Sequence, residues 1–326
     1  MNIKREIERF GKICMKTQVD LKGYLQSFLA SNGYKVIVGD GYVYAKGTLP
    51  YLVTAHMDTV HKVQCERYTI HKYKGKHRIQ SPVGIGGDDR CGIYMIVRMV
   101  LDGYRPSILF CEDEEIGSIG AGKFCKTKYV RDLEKLNYLI ELDRANARDA
   151  VFYYCDNKDF RDFILKNTGY DFAEGTWTDI VELSDECGVA SVNFSCGYYK
   201  AHTTSEYVLF EEMQNTIYIV EKLLRMDNVQ QYEFIEAPDR YITNNRYFLS
   251  DNYYDRYGYT YGYGYGYEEE EDKEVINGME ISFFDPVTSK LLSEVVPGST
   301  ELECLGTFFK WFPDVCFNDV QDWLYV

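Results

Sequence analysis

The chain holds five short segments dense in imidazole and carboxylate side chains: Ala55-His56-Met57-Asp58, Gly86-Gly87-Asp88-Asp89-Arg90, Glu112-Asp113-Glu114-Glu115, Glu141-Leu142-Asp143 and Ala201-His202. Each is weak alone. A lone histidine beside a strand is more often a satisfied polar residue than a ligand, and paired glutamates are usually a solvated face. Together they offer two imidazoles and three carboxylates, with a further Asp beside one His and a further Glu beside one carboxylate. Imidazole nitrogen and carboxylate oxygen are ligands that zinc accepts, and a catalytic zinc keeps one position for water. Two metals about 3.5–4 Å apart need a carboxylate that bridges them. A ligating His usually gives its second N–H to a carboxylate. In an extended segment His56 and Asp58 point the same way, so Asp58 can orient His56.

These segments must be held by a scaffold, and each is expected at the end of a strand. Asp20–Ser31 reads as a helix ended by Asn32-Gly33. Tyr34–Val38 and Tyr42–Ala45 flank a Gly39-Asp40-Gly41 turn, and Thr69–Tyr73 and His77–Gln80 flank Lys74-Gly75-Lys76, which are two hairpin signals. Short apolar runs at 52–55, 108–111, 138–142, 151–155 and 190–194 read as strands, and 91–101, 159–167 and 178–187 as helices. Leu209, Phe210, Met213, Ile217, Val220 and Leu224 fall at helical spacing on a long amphipathic helix that closes the domain. Strands alternating with helices imply an α/β fold, a central sheet with helices on both faces. Such sheets place ligands at the carboxyl ends of strands.

The order His-x-Asp, Gly-Asp-Asp-Arg-x-Gly, Asp-Glu-Glu-Ile-Gly, Leu-Asp and a final His resembles the co-catalytic di-zinc exopeptidase superfamily. That group spans peptidase T, aminoacylase and glutamate carboxypeptidase on one side and single-domain zinc aminopeptidases on the other. The resemblance covers roughly residues 50–225. It implies a three-layer sandwich with a mixed, mostly parallel sheet. It implies two Zn2+ ions, with Mn2+ or Co2+ possible on the same ligands. His56 and Asp143 would hold one, Glu115 and His202 the other, and Asp88 would bridge them, followed by a cis peptide to Asp89. Glu114 would be general base and then general acid toward a metal-bridging water, with Asp58 as its catalytic neighbour.

The chain also departs from that pattern. Most two-domain members insert a lid and dimerisation domain before the last His, whereas His202 lies 202 − 143 = 59 residues after Asp143. That spacing holds about three elements and no lid, so the lid-borne His and Arg have no counterpart. Arg90 replaces the commoner Lys. An oxyanion still needs a donor, and Tyr198 or Tyr199 is the candidate. Arg144 is the candidate for a substrate carboxylate. Asp179 is a candidate for a substrate amine, although an N-cap role is favoured. His61, His71 and His77 read as surface residues.

Composition bounds the rest. The 326 residues carry a net charge of −15 and 45% apolar side chains. Residues 229–326 hold 19 acidic and 6 basic side chains, leaving 32 and 30 for residues 1–228. No basic patch for nucleic acid is expected. The division is a catalytic domain at 1–228, a Tyr/Gly-rich and acidic linker at 229–274, and a small C-terminal appendage at 275–326 of unassigned role, with the C-terminal tail 229–326 a candidate contact for a protein partner. Ile3, Ile7, Phe10 and Cys14 lie on an amphipathic helix, with no signal-peptide pattern and no membrane-length apolar run. Ten cysteines without a CxxC fit free, buried thiols in a reducing cytoplasm, Cys65, Cys111 and Cys196 among them.

The leading expectation is therefore an aminopeptidase or dipeptidase acting on small peptides. An N-acyl amino-acid hydrolase or carboxypeptidase could use the same metals but needs a cationic pocket. A non-catalytic binding protein on a peptidase fold is the third reading, and the intact set of five ligands with Glu114 weighs against it.

Overall fold

A computed structural model describes residues 3–175 and 177–237, residue 308, and the backbone of 279–284, 291–296 and 320–325. The elements in chain order are α1 Ile3–Cys14, α2 Gln18–Ser31, β1 Val36–Gly39, β2 Tyr42–Ala45, β3 Tyr51–His56, β4 Thr69–Tyr73, β5 Lys76–Gln80, α3 Gly87–Leu101, β6 Ser107–Cys111, α4 Ile119–Cys125, a 3-10 helix Lys128–Lys135, β7 Tyr138–Arg144, β8 Asp149–Val151, α5 Lys158–Thr168, β9 Asp171–Ala173, α6 Asp179–Cys187, β10 Ser191–Ser195, β11 Tyr198–Tyr199, β12 Tyr207–Leu209, α7 Phe210–Leu224, β13 Met279–Phe284, β14 Leu291–Val296 and β15 Val320–Tyr325. Two compact units result: Met1–Tyr68 with Lys72–Tyr247, and Thr69–His71 with Phe248–Val326.

The first unit is built on an eight-stranded mixed sheet in the order β1-β2-β6-β3-β7-β10-β8-β9. Its centre is parallel, β6 beside β3, β3 beside β7 and β7 beside β10. The outer pairs β1–β2, β2–β6 and β10–β8 are antiparallel. A strand covered on both faces must be apolar on both, and every residue of β3 and β6 is buried. Successive side chains alternate between faces. Val53, Ala55, Ile108, Phe110, Ile140 and Leu142 enter the core that also holds Phe10 of α1, Ile93 of α3, Phe160 of α5 and Phe210 of α7. Leu52, Leu109 and Leu139 enter the opposite core with Phe124 of α4, Leu183 of α6 and Leu133 of the 3-10 helix. The expected α/β sandwich with a mixed, mostly parallel sheet is present.

Local chemistry sets the helix ends. The Thr17 hydroxyl accepts from the Asp20 N–H at 3.1 Å and opens α2. Asn157 does the same for α5 through Phe160 N–H at 3.0 Å. Gly169 and Gly188 close α5 and α6 in the left-handed region, at φ 68° and 70°. A second sheet runs β11-β12-β5-β4. The second unit contains the antiparallel sheet β14-β13-β15.

Several elements differ from the sequence expectations. The strand expected at 151–155 is β8, Asp149–Val151, because Phe152 to Tyr154 turns away, with Tyr153 at φ 48°. Cys155 keeps only an isolated bridge to Glu236. The stretch between Asp143 and His202 holds six short elements, β8 through β11 with α5 and α6, against about three expected. The α4 helix, seven residues with two glycines, and the 3-10 helix were not among the expected elements. Residues 229–237, read as the start of the linker, are bonded to the first unit, where Tyr232 packs on Phe160 and Phe163. The remainder of the linker, 238–274, lies outside the described residues, as does most of 275–326. Among the described residues no helix is long and apolar enough to cross a membrane.

The α3 helix approaches β7 closely at Gly92. A Cβ there would lie 2.0 Å from the Leu142 carbonyl oxygen and 2.6 Å from the Asp89 carboxylate. Backbone on a central strand cannot step aside. Gly92→Ala is expected to lower stability by about 1–3 kcal/mol despite the better helix propensity of Ala, as read from the urea midpoint.

Candidate active site

The parallel order β6-β3-β7 brings three of the five segments to one edge. His56 is the last residue of β3 and pairs in register with Cys111 at the end of β6. Glu114 and Glu115 follow that strand, and Asp143 lies near the end of β7. Asp88 was expected at a strand end. It sits instead at the opening of α3, where Asp88 and Asp89 depart from helical geometry and the peptide bond between them is cis. His202 stands in the turn after β11 at φ 62°.

The five side chains converge. His56 Nε2 lies 3.0 Å from Asp88 Oδ1 and 3.5 Å from Asp143 Oδ1. His202 Nε2 lies 3.2 Å from Asp88 Oδ2 and 3.1 Å from Glu115 Oε2. Two donor groups follow, His56–Asp88–Asp143 and Asp88–Glu115–His202, each with its ligand atoms within 4.8 Å of one another. Asp88 belongs to both. Glu114 Oε2 is 4.0 Å from His56 Nε2.

Asp58 acts on two segments at once. Its Oδ1 lies 3.2 Å from His56 Nδ1 and also accepts from the Glu114 N–H at 3.1 Å, while Oδ2 accepts from the Glu115 N–H at 3.1 Å. Asp89 Oδ2 accepts from the His56 N–H at 3.2 Å and Oδ1 from the Gly92 N–H at 2.8 Å. Around Asp143, Asn193 Oδ1 accepts its N–H at 2.9 Å and the Thr178 hydroxyl donates to Oδ2 at 3.0 Å. Asn193 and Thr178 were not anticipated. A buried Asn on β10 and a Thr before a helix give no sequence signal of a partner that distant.

The electrostatics are those of crowded, buried carboxylates. Burial carries Asp143 up to about 7, with the Asp88 charge adding to it. Burial likewise lifts Asp179 to about 7 and holds Glu114 and Glu141 well above the usual carboxylate range. For Asp88, burial opposes ionisation, but hydrogen bonds from His202 and His56 outweigh it and hold the group low. His56 is held high by Asp143, Asp58 and Asp88 against its own burial. Hydrogen bonds to Asp88 and Glu115 raise His202 to about 11. Glu115 Oε1 and Asp143 Oδ1 are buried without a hydrogen-bond partner. Hard oxygen and imidazole donors, two buried oxygens without a hydrogen bond, and excess negative charge fit a divalent cation in each group.

The other sequence candidates are placed differently. The Tyr199 hydroxyl donates to Glu212. Tyr198 is buried and its hydroxyl donates to the Asp143 carbonyl at 3.3 Å. Arg144 is paired with Asp149 at 3.3 Å. Asp179 is not the α6 cap: Thr178 holds that position and turns its hydroxyl to Asp143, leaving Asp179 in the first turn, buried beside Cys111 and Ser118. Arg90 is buried and donates to the carbonyls of Met57 and Lys16, tying the start of α3 to two loops. His71 is buried and His61 nearly so, with Nε2 2.7 Å from Glu206, so the surface reading fails for both. His77 is half-buried against Glu211. Cys65, Cys111 and Cys196 are buried free thiols.

No family model and no curated protein matches the sequence. Solved structures do match in fold. Aminopeptidase PepT of Bacillus cereus superposes with a TM-score of 0.55 at 14% identity, over 69% of this chain and 98% of that one. The chain shares the α/β fold of this aminopeptidase. A tripeptidase of Staphylococcus aureus gives 0.54 at 13% identity over 69% and 98% of the two chains. An aminopeptidase of the archaeon Desulfurococcus kamchatkensis gives 0.51 at 12% over 68% and 94%. The mixed, mostly parallel sheet expected from the sequence is the sheet observed.

Asn193 generates a direct test of how Asp143 is held. Asn193→Ala leaves a buried N–H without its acceptor and is expected to cost about 1–3 kcal/mol in urea denaturation. An unchanged midpoint would mean that another acceptor replaces it.

Proposed function

We propose that this chain is a metal-dependent peptidase, an aminopeptidase or dipeptidase that releases residues from small peptides. The observation that carries the reading is the pair of donor groups sharing Asp88 at the carboxyl edge of the parallel strands. His56 and Asp143 would hold one zinc, Glu115 and His202 the other, and Asp88 both; manganese or cobalt would suit the same donors. When bound, the ions supply Lewis acidity toward the scissile carbonyl and make water a better nucleophile at neutral pH.

The chain's own residues supply the proton chemistry. With divalent cations offsetting the burial that holds its carboxyl high, Glu114 takes a proton from water while the water oxygen forms a C–O bond to the scissile carbonyl carbon; the C–N bond then breaks and Glu114 returns the proton to the departing amine nitrogen. Asp58 supports this by fixing both His56 and the backbone N–H of Glu114. Arg144, the candidate for a carboxylate pocket, is already paired with Asp149, which weighs against the carboxypeptidase alternative.

Elemental analysis of the purified chain is expected to give close to two zinc per chain, falling sharply in Asp88→Ala. Absence of metal, or one metal indifferent to Asp88, would remove the two-metal reading. Glu114→Gln should keep the zinc and lose about 10²–10⁴-fold in kcat. Free-amine di- and tripeptides should be cleaved and their N-acetylated forms spared; cleavage of only the blocked forms would transfer the assignment to an N-acyl hydrolase.

A further inference from the structure

Glu206 stands outside the five segments, in the turn between His202 and β12, and its side chain is fully buried. Three N–H groups converge on its carboxylate. Oε1 accepts from the backbone of Asp88 at 3.0 Å, and Oε2 accepts from the backbone of Gly86 at 2.7 Å. His61 Nε2 lies 2.7 Å from the same Oε2.

The backbone donors need such a partner. The first N–H groups of a helix find no carbonyl within it. Here Gly86 at the cap offers no side chain, and Asp88 and Asp89 are off helical geometry. Glu206 is thus a cap for α3 supplied from a distant turn, with a negative group at the helix N-terminus where the dipole favours it. The glycines admit it. A Cβ on Gly87 would lie 2.9 Å from Tyr198 Cβ and Val208 Cγ2, and 3.3 Å from Glu206 Oε1.

The same five-residue segment, His202 to Glu206, reaches Asp88 twice. His202 Nε2 meets the Asp88 side chain at 3.2 Å, and Glu206 meets its backbone at 3.0 Å. We infer that Glu206, braced by His61, is a positioning residue that sets the Asp88 carboxylate in register with both imidazoles and so determines how tightly the paired metals are held. This rests on the two-metal reading of the site. It acts through Asp88 and has no part in the bond-breaking step. A glutamine of the same shape could not replace it, because its NH2 would face an N–H donor.

The test is zinc affinity of the full chain, read by competition with a chromophoric chelator, for wild type, Glu206→Gln and His61→Ala. Glu206→Gln is expected to weaken zinc by roughly 10–100-fold. His61→Ala, which removes one donor of three, should weaken it less. The melting temperature in excess chelator serves as the control: a role in folding alone would lower it and leave the affinity of the folded variant unchanged. If Glu206→Gln does not fold, His61→Ala carries the test. Zinc affinities within twofold of wild type in the folded variants would overturn the inference while leaving the metal reading intact. A wild-type chain that binds no zinc would overturn both.

Discussion

Carboxylates packed away from water around two imidazoles repel one another, and each loses hydration that must be replaced. That constraint organises the first unit. The fold answers part of it with donors: backbone N–H groups of Glu114 and Glu115 for Asp58, of His56 and Gly92 for Asp89, and the Thr178 hydroxyl for one oxygen of Asp143. The ligand atoms that remain face one another across the two donor groups. A charge pattern left incomplete in this way is what a cationic cofactor completes, and it is costly in a protein that had no use for one.

The sheet makes the crowding geometrically possible. Three parallel neighbours end at one edge, so residues far apart in sequence arrive at that edge side by side. Two cores, one on each face, leave β3, β6 and β7 little freedom to shift, because a slip of one residue would exchange every core side chain for its opposite. The rigid parts are the strands. The shaping is done by turns, among them the loop from Asp113 to Ser118, where both end residues take positive φ.

Supporting residues sit two steps from the chemistry. Asn193 ties Asp143 to Tyr153, accepting from one and donating to the other at 2.9 Å each. Thr178 stands at the N-cap of α6 but turns its hydroxyl to Asp143 and makes no side-chain capping bond. Arg90, which a sequence comparison would weigh as a change from Lys, joins the helix to carbonyls that a shorter or single-donor side chain would not span together.

Much of this was legible beforehand. Apolar runs of strand length between helical periods gave the layered α/β architecture, since burial on both faces demands that pattern wherever a parallel sheet is covered. His56 and Asp58 were linked by the two-residue period of an extended chain, a local rule that holds whatever surrounds it. The five candidate positions stood out because their side-chain types in combination are those a divalent cation accepts. The tertiary structure alone decided the rest. Tyr199, Arg144 and Asp179 were plausible substrate contacts as types, yet each meets a partner that the sequence does not pair with it. Glu206 carries no motif or period that marks it in the sequence. Its place beside Gly86 and Asp88 depends on how the turn after β11 folds against α3, a contact across 118 residues of chain. Periodicity and side-chain chemistry are local and can be read along the chain; which buried donor meets which buried acceptor is settled only when distant segments pack.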